Sequence, residues 1–206
     1  MLAKKTYKVG RRLGAGVFDK CQTQKFMVSE ARHAKHLKGG RRKTQSDFAK
    51  QLLEKQRVRF AYGISETQLR RYVEESHRVS ALGADPAVRM IEQLEMRLDN
   101  AIYRFGLVRS RRAARQLVSH GHVTVNGVRS TVPSHLLREG DVVAVRERTK
   151  TLPLMEHLKV NSEGAACPVW LAFDTSVYQG KVVARPNFDN TEMVGSVSAI
   201  LEYYSR

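Results

Sequence analysis

Apolar residues recur every three or four positions over several stretches of the chain, the spacing of one helix face. From Ser46, the positions of Phe48, Leu52 and Leu53 open a helical pattern that runs to Tyr62, with Gly63 just past its end. Ser65 and Gln68 have capping-box spacing and start a second helix, whose apolar stripe is Leu69, Tyr72 and Val73. Asp85-Pro86 sets an N-cap before proline at the first helical position. Val88, Ile91, Leu94, Leu98, Ala101, Ile102 and Phe105 then predict one long helix ending at Gly106. Ser110 is placed to cap a further helix that runs to His120 and stops at Gly121. That helix sorts into an apolar stripe (Ala113, Ala114, Leu117, Val118) and a polar one (Arg111, Arg112, Arg115, Gln116, Ser119).

The period then changes. His122, Val123, Thr124 and Val125 alternate, and Asn126-Gly127 is the signature of a type I′ hairpin turn. Val128 begins the return strand, Pro133 interrupts it, and Arg138–Asp141 turns the chain into a strand holding Val142, Val143 and Val145. Pro168–Asp174 and Lys181–Ala184 read as two more short strands. Ile200–Tyr204 fits a strand or a last helical turn, and periodicity does not decide between them. Residues 1–43 lack clear periodicity and hold few large apolar groups, so they predict an extended basic arm that is either mobile or ordered by a partner. The expected fold class is α+β. It comprises a basic extended N-terminal arm (1–43), a helical domain (44–95), an inserted module of two helices plus a small antiparallel sheet (96–160), and a short β-rich C-terminal segment (161–206) packing on the scaffold.

Charge changes the picture. The 206 residues carry a formal net charge of +16, with a pI near 10.2, far beyond what solubility needs, which points to a polyanionic partner. The charge is unevenly placed: residues 1–59 hold 17 Lys and Arg against 4 Asp and Glu, and residues 97–148 hold 10 against 4. Residues 60–96 and 149–206 are close to neutral and read as scaffold. Residues three and four apart share a helix face, so Arg111, Arg112 and Arg115 are expected to present together, as guanidinium forks suited to phosphate.

The candidates for RNA contact are Lys35, Lys38, Arg41, Arg42 and Lys43 in the arm, and Lys55, Arg57, Arg59, Arg70 and Arg71 on the two helices that follow. In the module they are Arg97, Arg104, Arg109, Ser110, Arg111, Arg112, Arg115, Gln116 and His120. Trp170, Tyr203 and Tyr204 are expected to pack in the fold.

Catalytic and metal chemistry find little support. No Gly-rich phosphate loop lies between a strand and a helix. Asp99 is the carboxylate most worth suspecting, but its setting among arginines predicts an ion pair with Arg97 or a neighbour. Cys21, His33 and His36 supply three potential zinc ligands where a structural site needs four. No metal and no cofactor are expected, and the chain is read as non-enzymatic. Two cysteines make no disulfide framework. No apolar run is long enough to span a membrane, so no membrane partner is expected.

The string RLDNAIYRFGLVRSRRAARQLVSHGHVTVNG (Arg97–Gly127) resembles the S-four RNA-binding domain, found in ribosomal proteins, RNA-modifying enzymes and some tRNA synthetases. SDFAKQLLEKQRVRFAYGISETQLRRY (Ser46–Tyr72) resembles the helical segment of the bacterial small-subunit ribosomal protein four family, and LEYYSR (Leu201–Arg206) resembles its C-terminus. The likeness runs from about residue 30 onward. Where that family often carries a Gly-Gln-His-Gly loop, this chain has His36-Leu37-Lys38-Gly39. Where some members hold zinc through four N-terminal cysteines, it has only Cys21. The resemblance implies a structural protein that binds small-subunit ribosomal RNA early, nucleates the 5′ domain and contacts small-subunit protein five. It also implies a place near the messenger RNA path, an influence on decoding accuracy, and a bacterial-type cytoplasmic ribosome, with an organellar one still open. Some relatives repress their own messenger RNA. The alternatives are an RNA-modifying enzyme of the pseudouridine synthase type, which needs a further catalytic domain, and a free-standing RNA-binding regulator.

Overall fold

The computed structural model describes residues 6–36, 45–80, 83–151, 167–186 and 194–205. They fall into two compact units: Met1–Leu82 with Met193–Arg206, and Gly83–Glu192. The α+β expectation holds, with helices in both units and a five-stranded sheet in the second.

The first unit is helical. Helix α1 (Thr6–Leu13) is followed by two 3-10 turns (Ala15–Val17 and Asp19–Gln22) and by α2 (Gln24–His36). The extended arm expected over residues 1–43 is therefore folded into helices within 6–36. Its few apolar residues suffice because they are concentrated: Leu13, Val17, Cys21 and Phe26 are all buried. Tyr7 meets Phe26 edge-on at 5.4 Å, and Phe18 meets Phe60 at 6.0 Å. Residues 37–43 lie outside the described residues.

Helices α3 (Asp47–Ala61) and α4 (Glu66–Ser80) begin where the caps predict. Ser46 Oγ accepts from Ala49 N at 3.3 Å and Ser65 Oγ from Gln68 N at 3.2 Å. The C-terminal helix (Val197–Tyr204) packs on α3 and α4. Ser196, which accepts from Ala199 N at 3.3 Å, supplies its cap, and this settles the choice between strand and helix at Ile200–Tyr204. Val197 and Ile200 are its buried face.

In the second unit, the expected single helix from Pro86 to Phe105 is two. Helix α5 (Pro86–Glu95) ends at Met96, Arg97 is extended, and α6 (Leu98–Arg104) starts again. The cause is tertiary. Residues 133–137 run alongside the break and take its backbone hydrogen bonds. Leu98 N donates to His135 O at 2.8 Å, Asp99 N to Pro133 O at 3.1 Å, and Leu137 N to Met96 O at 2.8 Å. Helix α7 (Arg111–Ser119) follows, its Ser110 cap accepting from Ala113 N at 3.2 Å.

The sheet has strand order β2-β1-β3-β5-β4, antiparallel throughout. Its strands are β1 (Val123–Val125), β2 (Val128–Ser130), β3 (Val142–Val145), β4 (Leu171–Asp174) and β5 (Gln179–Val182). Asn126 (φ 50) and Gly127 (φ 80) make the expected hairpin turn. The Asn126 side chain also joins the turn to β3: its Oδ1 accepts from Val142 N at 2.9 Å and its Nδ2 donates to Asp141 at 2.8 Å. The short helix α8 (Glu147–Lys150) follows β3. The segment expected as a separate β-rich C-terminal piece thus extends the module's own sheet. Helices α6 and α7 share one core with that sheet, including Leu98, Ile102, Phe105, Leu117, Val143, Trp170 and Val182. Gly180 lies directly under the Phe105 ring, where any side chain would collide.

Candidate RNA interface

Helix α7 presents its polar side as the sequence predicts, but not uniformly. Ala114, Leu117 and Val118 are buried, and Arg112, Gln116, Ser119 and His120 are exposed. Arg111 and Arg115 occupy the flank between these faces and are half-buried. They reach back toward α6: Arg111 Nε donates to Asn100 Oδ1 at 2.7 Å, and Arg115 Nη2 to Asp99 Oδ2 at 2.7 Å. Asp99 is therefore an ion-pair partner, as its arginine-rich setting predicts, with Arg97 on it as well at 2.9 Å.

The other candidates separate by burial. Lys55 and Arg97, expected on the RNA-facing surface, are 5% and 3% exposed. Each is drawn inward by a carboxylate. Lys55 Nζ pairs with Glu66 at 2.6 Å, and Arg97 holds Asp99 through two nitrogens. Arg104 is largely buried against Glu95, with Nε and Nη2 at 2.9 and 3.0 Å from its two oxygens. These three positions are structural, since a charge taken out of water needs a close partner.

Arg57 donates to the Leu13 carbonyl at 2.6 Å and so ties α3 to α1, and Arg59 pairs with Glu66 at 2.8 Å. Arg70 and Arg71 are exposed, Arg70 within an i,i+4 pair with Glu74 at 2.9 Å. Arg109 is exposed and Ser110 serves as the α7 cap. Lys38, Arg41, Arg42 and Lys43 lie outside the described residues, as does the Lys35 side chain.

Three basic residues absent from the sequence candidates extend the α7 surface. Arg146 Nη1 donates to Gly121 O at 3.1 Å, and Arg129 Nη2 lies 3.5 Å from His120 O, both at the C-terminal end of α7. Cations belong there, where unpaired carbonyls concentrate negative potential. His122 lies beside them, with Nδ1 3.0 Å from Thr149 Oγ1. Burial, and then the charges of His120, Arg146 and Arg129, hold the His122 imidazole below its ordinary value of 6.5. The sequence signal was the outward-facing position of Arg129 in the predicted return strand, a position periodicity marks but does not rank.

Among the described residues, no group of three or more His, Cys, Asp or Glu is arranged to hold a metal ion. Cys21 is buried beside Gly10, whereas His33 is exposed. Burial pushes the Cys21 thiol up from its ordinary value. No described helix is long and apolar enough to cross a membrane.

Known proteins match this chain along almost all of its length. The Ribosomal protein S4/S9 N-terminal domain matches residues 1–91, and the S4 domain matches residues 96–143. The small ribosomal subunit protein uS4 of Acetivibrio thermocellus is 40% identical over 188 residues, covering 91% of this chain and 89% of that protein. The protein of the same name from Natranaerobius thermophilus is 38% identical over 200 residues, covering 95% and 94%. The one from a Sulfurihydrogenibium strain is 39% identical over 199 residues, covering 96% and 95%. This chain belongs to the small ribosomal subunit protein uS4 family, a family of structural, non-enzymatic proteins.

Proposed function

We propose that this chain is a structural constituent of the small ribosomal subunit and binds ribosomal RNA directly. The observation that carries the reading is the outward face of α7: Arg112, Gln116 and His120 point to solvent, with Arg129 and Arg146 at the same helix end. A-form RNA is recognised mainly by shape and phosphate contacts, and a rigid basic face on a small domain suits that task. The exposed arginines of α4 and the basic residues 35–43 supply further charge. Specificity then arises from placing several basic surfaces at once.

The proposal extends to the finer role that the family resemblance implies. The chain binds early, nucleates folding of the 5′ domain, contacts small-subunit protein five and influences decoding accuracy close to messenger RNA. Its setting is a bacterial-type ribosome in the cytoplasm. Two measurements test this. Co-sedimentation on sucrose gradients is expected to place the chain with small subunits at one copy each; a chain that stays at the top of the gradient refutes the assignment. Binding to small-subunit ribosomal RNA is expected to weaken steeply with salt, because each neutralised phosphate releases counterions. A flat salt profile would remove the phosphate mechanism.

A further inference from the structure

The flank of α7 is held from below. Arg115 places both Nε and Nη2 on Asp99 Oδ2, at 3.0 and 2.7 Å. Arg111 places Nε on Asn100 Oδ1 at 2.7 Å, and its guanidinium lies 4.4 Å over the Tyr103 ring. Asp99 and Asn100 are 3% and 1% exposed, and both are fixed in turn. Arg97 grips Asp99 through Nε and Nη2, at 3.0 and 2.9 Å. The Asn100 amide nitrogen donates to the Glu95 carbonyl oxygen at 3.0 Å and to Glu95 Oε2 at 2.8 Å. With its nitrogen committed twice, the amide has to turn its oxygen toward Arg111. Arg104 then locks the Glu95 carboxylate from the other side.

Two features of this network point outward. Four guanidiniums (Arg97, Arg104, Arg111, Arg115) are arranged around the carboxylates of Asp99 and Glu95 and the Asn100 amide that joins them. The two arginines nearest the surface are anchored at their Nε edge, which fixes the plane of each fork. Arginine loses much rotamer freedom when it is immobilised on a ligand. Here folding has already taken that loss.

We propose that Asp99 and Asn100 are positioning residues of the RNA-binding surface, holding Arg115 and Arg111 in fixed planes so that phosphate meets pre-ordered guanidinium forks. A supported binding group loses affinity when its support is removed, even though it remains in place itself. The inference rests on the reading of α7 as RNA-facing.

The test is a double-mutant cycle on the full chain, with small-subunit ribosomal RNA as the probe and thermal unfolding as the control. Arg111→Ala and Asn100→Ala are each expected to weaken binding by about fivefold to tenfold, the scale of one lost charge-assisted contact. The double variant is expected to bind no more weakly than Arg111→Ala alone. Arg111→Lys keeps the charge but has no Nε edge for Asn100, and is expected to lose nearly as much affinity as Arg111→Ala. If Asn100→Ala weakens binding equally with and without Arg111, its role is only structural and the proposal fails. If Arg111→Lys binds like the parent, fork positioning is irrelevant and the proposal fails; this variant decides the matter if Asn100→Ala does not fold. If Arg111→Ala itself binds like the parent, the reading of this flank as RNA-facing falls first and takes the proposal with it.

Discussion

Lys55 Nζ lies 2.6 Å from Glu66 Oε1, the lysine side chain 6% exposed and the glutamate 44%. Arg59 takes the other carboxylate oxygen at 2.8 Å, and the Tyr204 hydroxyl donates to Oε1 at 2.7 Å. One carboxylate therefore joins α3, α4 and the C-terminal helix. Glu66→Gln leaves Lys55 buried without its counter-charge and is expected to destabilise the helical unit by about 1–3 kcal/mol, allowing for the partial exposure of the pair. Tyr204→Phe loses one hydrogen bond and is expected to cost about 1 kcal/mol. Urea unfolding followed by helical circular dichroism measures both, and an unchanged Glu66→Gln midpoint would show the knot to be dispensable.

The same carboxylate sets an acid limit. Burial pushes Glu66 up, but hydrogen bonds from Lys55, Tyr204 and Arg59 outweigh it and hold the group at about 2, against an ordinary value of 4.5. Between those values the unfolded chain binds the extra proton, so stability rises with pH across this window. The contribution is complete above 4.5 and is lost as pH falls toward about 2. The parent is expected to lose stability through this range more steeply than Glu66→Gln. Parallel pH profiles for the two would refute the assignment.

On α7 the arginines should behave differently from one another. Arg112→Ala is expected to lower RNA affinity and to reduce the salt slope by about one counterion, with no change in melting temperature. Arg115→Ala removes a partner of the buried Asp99 and is expected to lower both affinity and stability. Paired RNA titrations and thermal melts separate the two. Equal melting temperatures would contradict the network geometry.

Gly180→Ala places a methyl group into the Phe105 ring, which packs on that backbone. Overpacking of this kind is expected to cost about 1–3 kcal/mol. Adding Phe105→Leu should recover part of the loss, because it removes the ring that collides. Failure of that rescue in thermal unfolding would locate the strain elsewhere.

Elements with local punctuation were legible in the sequence. Ser46, Ser65, Asp85-Pro86 and Ser110 each start a helix, and Asn126-Gly127 makes its turn, because a cap or an I′ turn needs only neighbouring residues. The break at Met96–Arg97 was not legible. Leu94, Leu98, Ala101 and Ile102 keep helical spacing across it, and the groups that stabilise the break come from residues 133–137. The arginine surface was half legible. Spacing placed Arg111, Arg112 and Arg115 on one side, but Asp99 and Asn100, which anchor two of them on the flank, belong to a different helix. Lys55 lies buried against expectation for the same reason. Its carboxylate partner lies on the next helix, and composition alone cannot pair them.

The helical unit is assembled from both ends of the chain, whereas Gly83–Glu192 is continuous. Synthesis runs from the N-terminus, and continuous units fold as they emerge. The sheet-bearing unit is therefore complete while the helical unit still lacks its final piece. The Glu66–Tyr204 bond closes over 138 residues, so it cannot form until the sheet-bearing unit between them has been synthesised. The C-terminal helix thus acts as a timing element: the α3–α4 surface it packs on is finished only after the sheet-bearing unit has been made.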